Sequence, residues 1–199
     1  MDSEPNTQPI RTTIARAASI IGHPLVFLSI AAIVAAMQKG ASMQQLKIIV
    51  LIVAALGLVS MAYSYLQVRS GRWSHIDASA QSERRSLNVF LAILCLLSAT
   101  VIWVLTDRPH MSIALGLSGA LFLIALLLSK WVKLSLHTAF AIFATALMWP
   151  NTLALILGIL MTGLLIWSRL SLGRHVIADI IVGLLAGGVA GVLYQLLTV

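Results

Sequence analysis

The sequence predicts an all-α, polytopic integral membrane protein, a helical bundle of six to seven transmembrane helices. Of its 199 residues 60% are hydrophobic and only 10% charged, where a soluble domain carries about 25% charged residues. The apolar residues fall in runs, most of them near the roughly 20 residues that cross a bilayer. The polar residues collect in the short segments between those runs. Such a chain cannot cover a water-facing surface, so lipid is the solvent for most of it.

The first run spans about 17–37, with Pro24 tolerated near its start. It is long for a cleaved leader and lacks a clear cleavage pattern, so it reads as a retained span. The second covers 46–66. A polar segment, 67–87, follows with Arg69, Arg72, His75, Asp77, Glu83, Arg84 and Arg85. Runs at 88–106 and 111–129 are joined by the turn Asp107-Arg108-Pro109-His110. Two shorter runs, 134–149 and 152–167, flank Pro150-Asn151. The last begins near His175 and reaches Leu197. No repeat or linker divides the chain, so the organisation is a polar tail (1–16) and one membrane-embedded domain (17–199).

Seven spans sort the connections onto two faces. The face of the N-terminus holds ten basic residues and the other holds Lys39, Lys47 and Arg108. Setting aside Arg72, Arg84, Lys133 and Arg169, which an anion site would claim for itself, six stand against three. Basic residues favour the cytoplasmic side, so the expectation is a multi-pass protein of the cell membrane with its polar cluster facing the cytoplasm. The net charge of +7 is spread singly over short loops. That pattern suits lipid headgroups and topology signals rather than nucleic acid. Cys95 is the single cysteine; it excludes an intrachain disulfide and reads as a packing residue.

The sharpest chemical signal is the segment from Ser168-Arg169 to His175 and Asp179. His175 and Asp179 are four apart at a helix start and share a face. A carboxylate there can hold one imidazole nitrogen and leave the other free to attack. The Arg169 guanidinium suits phosphate, whose oxygens its planar fork binds in pairs. Ionisable groups at membrane depth are costly and mark function. Set against this is an interfacial His-Asp hydrogen bond with arginines reaching for headgroups. A second cluster, Lys133-Leu134-Ser135-Leu136-His137, lies on the same face. Its histidine could serve as general acid.

Together these residues resemble the type-2 phosphatidic-acid phosphatase superfamily of membrane lipid phosphatases. The third family motif, SRxxxxxHxxxD, is matched at every fixed position by Ser168, Arg169, His175 and Asp179. The second, PSGH, is kept in part as Leu134-Ser135-Leu136-His137. The first, KxxxxxxRP, is poorest: with its arginine on Arg84, Asp77 stands at the lysine position and Arg85 at the proline. Gly71-Arg72-Trp73-Ser74 with Glu83-Arg84, and Lys133-Leu134-Ser135-Leu136-His137, look like a small prokaryotic branch of the superfamily. The resemblance covers about 71–190.

The resemblance implies a cofactor-free, metal-independent transfer of phosphate through a phosphohistidine. His175 would be the nucleophile, Asp179 its orienting partner and His137 the general acid and then base. Arg169, Arg84, Lys133, Ser135 and Ser168 would hold phosphate oxygens, with Arg72 a further candidate. The departures in the first two motifs leave Lys133 or Arg72 to supply the missing lysine charge. The implied substrate is a lipid phosphate or diphosphate, of polyprenyl or phosphatidic-acid type; membrane lipids are the other partners, and oligomeric state is left open. The alternative is a catalytically degenerate protein binding anionic lipid, or a small transporter.

The other residues receive plainer readings. His23, beside Pro24, is a helix-entry residue, and His110 falls on the opposite face. His75 and Asp77 are polar loop residues. Zinc on His137, His175 and Asp179 is disfavoured by the neighbouring arginines. Gly183, Gly187 and Gly191 make a close-packing stripe. Trp73, Trp131, Trp149 and Trp167 stand where an interfacial belt is expected.

Overall fold

The computed structural model describes residues 8–78 and 80–198, with side chains from Thr12 onward. Regular structure among them is entirely helical. The helices are α1 (Gln8–Ile21), α2 (Pro24–Gln38), α3 (Met43–Arg69), α4 (Gln81–Leu105), α5 (Pro109–Leu128), α6 (Leu136–Leu147), α7 (Thr152–Ser171) and α8 (Ile177–Thr198). The chain is a polytopic helical membrane bundle. Five of its helices, α3, α4, α5, α7 and α8, are long and apolar enough to cross a bilayer. Their outer surfaces are apolar: Leu58, Leu105 and Leu127 are each more than 70% exposed, a cost that lipid removes.

The first span differs from the expected single helix. Pro24 has no N–H and sits at the first position of α2, where only a helix start tolerates it. The chain therefore breaks at Gly22-His23, and the helices on either side meet at 46°. Residues 8–16 of the expected polar tail are helical, because α1 packs Ala15 and Ala18 inward while Arg16 stays exposed. Residues 1–7, and the side chain of Arg11, lie outside the described residues.

Polar contacts at the two ends fix the relative directions of the helices. At one face Gln38 Nε2 donates to the Met148 carbonyl at 2.9 Å, and Gln195 Nε2 to that of Ala146 at 2.6 Å. The C-terminal ends of α2, α6 and α8 are thus together. His110, at the start of α5, joins them: Lys39 Nζ lies 3.2 Å from its Nδ1. At the opposite face the Ser135 N–H donates to the Asp179 carbonyl at 3.1 Å, joining the starts of α6 and α8.

With 12 residues, α6 is only about 18 Å long, short of the roughly 30 Å hydrocarbon layer. It is tolerated because α2, α7 and α8 enclose it. Eight of its residues, Phe140 and Phe143 among them, are buried. Its tightest neighbour is α8. A Cβ on Gly183 would lie 2.7 Å from the Ser135 carbonyl oxygen, one on Gly187 would meet the Ala139 carbonyl oxygen, and one on Gly191 the Ala146 Cβ. The three glycines let the α8 backbone lie against α6 without an intervening layer of side chains.

The tryptophans divide. Trp131 and Trp149 are exposed, as a belt residue should be. Trp73 is buried instead, edge-on to Tyr63 at 5.6 Å, and Tyr63 stacks on Phe90 at 3.9 Å. Its ring pins the 70–80 loop to α3 and α4 rather than facing headgroups.

Candidate active site

His175 lies in the turn that leads into α8, and Asp179 in the first turn of that helix. One carboxylate oxygen, Oδ2, accepts the Val176 N–H and stands 3.2 Å from His175 Nδ1. Only the imidazole can donate to a carboxylate, so Nδ1 carries the hydrogen and Nε2 keeps its lone pair. Asp179 is buried, which makes this orientation firm. Burial holds the His175 pKa below the ordinary histidine value; the Asp179 hydrogen bond offsets this in part, while the charges of Arg169 and Lys133 add to it. The imidazole is accordingly neutral, with a free nitrogen, at pH 7.

Arg169 occupies the last turn of α7 and is 6% exposed. Its Nη1 donates to Ser19 Oγ at 2.9 Å and its Nη2 lies 3.2 Å from His137 Nδ1. Arginine has no acceptor. His137 Nδ1 must therefore be the acceptor, which leaves the neutral ring's hydrogen on Nε2. The two histidines are set in opposite tautomers: one presents a lone pair and the other an N–H. Arg169 Nε has no partner and is the one such buried side-chain atom among the described residues. An unmet buried donor costs about 1–3 kcal/mol, and an anion entering the site would remove that cost.

Lys133, in the turn before α6, donates from Nζ to the Arg174 carbonyl at 2.9 Å. Burial and the nearby Arg84 charge lower its pKa, and Asp179, Arg169 and Arg174 also act on it. Arg84, Lys133, His137, Arg169 and His175 all line one cavity of about 2420 Å³. Ligand clefts commonly run from about 300 to 1,000 Å³, so this one has room for long hydrocarbon as well as a headgroup. Away from the basic end its walls are apolar, with Val53, Leu91, Leu94 and Phe122. The far end reaches Lys39 and His110 at the opposite face.

Three expected phosphate ligands are placed elsewhere. Ser168 is fully buried and its Oγ donates to the Ala15 carbonyl at 2.6 Å, tying α7 to α1. One residue on from Ser168, Arg169 points about 100° further round the helix and takes the cavity. Ser135 is also fully buried; its Oγ is 3.0 Å from Thr138 Oγ1, and its N–H is spent on Asp179. It joins α6 to α8 behind the cavity wall. Arg72 is exposed in the 70–80 loop and is not among the cavity residues. Among the described residues no three His, Cys, Asp or Glu side chains group as the ligands of an ion would.

Several residues gain a place that the sequence reading did not give them. Ser19 holds Arg169, Arg16 and Arg174 line the cavity, and His23 stands edge-on to His137 with ring centroids 5.7 Å apart. The polar Gly22-His23-Pro24 interruption in an apolar run was the available signal. Glu83 is the other. Its buried carboxylate accepts from the Ser74 N–H at 2.7 Å, the Ser74 hydroxyl at 2.9 Å and the Ala80 N–H at 3.0 Å. It folds the 70–80 loop back beside Arg84. Substituting Glu83→Ala is expected to free this loop. The Ser74 and Ala80 amides should then lose hydrogen-exchange protection while α8 amides keep theirs; unchanged protection at Ser74 would show that Trp73 alone secures the loop.

Comparison with protein-family models, curated proteins and solved structures finds no match to this chain.

Proposed function

We propose that this chain is an integral-membrane phosphatase that removes phosphate from a lipid phosphate or diphosphate through a phosphohistidine on His175. The observation that carries the reading is the pair of oppositely set histidines at one cavity, beside the unpartnered Arg169 Nε.

The chemistry follows from the tautomers. His175 Nε2 forms a bond to phosphorus as the bond to the leaving lipid oxygen breaks. With the phosphate drawing the Arg169 guanidinium to itself, His137 Nδ1 takes a proton from solvent, and the imidazolium so formed gives its Nε2 proton to that oxygen. In the second half His137 Nε2, now bare, takes a proton from water as the water oxygen attacks the phosphohistidine. Phosphate leaves and His175 recovers its lone pair. Asp179 holds the ring through Nδ1 and offsets the positive charge that the imidazole gains. Arg169, Arg84 and Lys133 meet the nonbridging oxygens, where charge must be balanced throughout. The apolar walls of the cavity keep the tail in a bilayer-like setting while the headgroup reaches the basic end. The surplus of basic residues around that end favours the cytoplasmic face.

One observation favours a second reading. The cavity extends from Arg84 to His110, across both faces, as a lipid-binding or transport pathway would. The deciding experiment is phosphate release by detergent-purified protein from a panel of lipid phosphates and diphosphates. Turnover of any of them supports the phosphatase. A folded, monodisperse protein that releases no phosphate from the whole panel gives the non-enzymatic reading the lead.

A further inference from the structure

We infer that His23 is a substrate-contacting residue of this site, donating its Nε2–H to a nonbridging oxygen of the bound phosphate. The inference rests on the phosphatase reading and adds to it a residue outside the segment that carries the serine-arginine, histidine and aspartate pattern.

The argument begins with the break between α1 and α2. His23 is the N-cap of α2, and its Nδ1 accepts the Leu25 N–H at 3.3 Å. A backbone amide can only donate, so Nδ1 is the bare nitrogen and the neutral ring carries its hydrogen on Nε2. That N–H hydrogen-bonds to none of the described residues, and the ring's neighbour is His137, edge-on at 87°. His23 also lines the cavity with His137, Arg169 and His175. It is thus a neutral donor, fixed in tautomer, on the wall where Arg169 and His137 already stand.

The corner that carries His23 is held to α7 at three points. Ser168 donates to the Ala15 carbonyl, Arg169 donates to Ser19, and Gly22 lies so close to Leu165 that a Cβ would stand 2.6 Å from its Cδ1. Two of these three contacts come from the residues that begin the serine-arginine pattern. The same dipeptide that brings a guanidinium to the cavity therefore also fixes the position of His23. A donor placed this way needs no reorganisation when charge arrives.

The test separates ligand contact from helix capping. Asparagine is among the best N-cap residues, so His23→Asn keeps the Leu25 contact and removes the Nε2 donor. Expected are a fall in kcat/KM of about ten- to a hundredfold in both His23→Ala and His23→Asn, the scale of one hydrogen bond to a charged group, and an unchanged melting temperature in His23→Asn. Inorganic phosphate binding, measured by calorimetry on wild type and His23→Asn, should weaken by at least about tenfold. Wild-type turnover and phosphate affinity in His23→Asn would overturn the inference and make His23 a cap alone, with the phosphatase reading intact. A wild-type protein that neither turns over nor binds phosphate would overturn both.

Discussion

His175→Ala is expected to abolish phosphate release, by about a thousandfold or more, because a missing nucleophile cannot be replaced by better binding. The fold should survive: the ring meets Asp179 through one contact, and the helix start keeps its bond from the Val176 N–H to the same carboxylate. Equal melting temperatures with lost turnover would separate chemistry from stability. The pH profile adds a signed check. Since burial holds the His175 pKa below the ordinary value, wild-type activity should persist on the acid side of about pH 6.5 and fall only as the ring gains its proton. An acid limb centred above that value would mean that the rate follows some other group.

Gly187→Leu is expected to give the largest loss of stability. The backbone of α8 approaches α6 most closely here, and even a Cβ would collide with the Ala139 carbonyl oxygen. Overpacking of a tight interface costs typically about 1–3 kcal/mol, and here the obstacle is backbone that cannot rotate away. Because α8 carries Asp179 at its start and α6 carries His137, the two halves of the site would separate as the helices do. Gly188 is the control. A Cβ there meets nothing within 4 Å, so Gly188→Leu should melt as wild type does in detergent. Equal melting of the two leucine variants would remove the glycine stripe from the account of how α8 is seated.

The features legible in the sequence were those set by fixed spacing. His175 and Asp179 are one helical turn apart, so their contact followed from helix geometry. Gly183, Gly187 and Gly191 repeat every four residues on one face, and that face is the one against α6. Side-chain direction was less legible where a hydroxyl could serve either the cavity or the protein. Ser168 and Ser135 stand within a residue or two of the site, yet the Ser168 hydroxyl is turned to the backbone of α1 and the Ser135 hydroxyl to Thr138 in α6. Pattern alone cannot show which of two adjacent positions faces inward when the span lengthens, as α7 does through Ser171. The α1–α2 corner was missed for a related reason. An apolar run hides a break, and the 46° bend at Gly22-His23-Pro24 is what brings Ser19 and His23 to Arg169 and His137. Trp73 was misplaced because a tryptophan near a span end fits a belt as readily as it fits a loop packed on Tyr63.

The most direct test of the central claim is to trap the intermediate. Protein quenched in alkali during turnover of a lipid phosphate, then digested and read by mass spectrometry, should carry one phosphoryl group on the peptide containing His175. The group should be absent before substrate is added and absent in His175→Ala. Turnover with no phosphorylated peptide, or with the phosphoryl group on the peptide containing His137, would contradict the assignment of His175 as nucleophile.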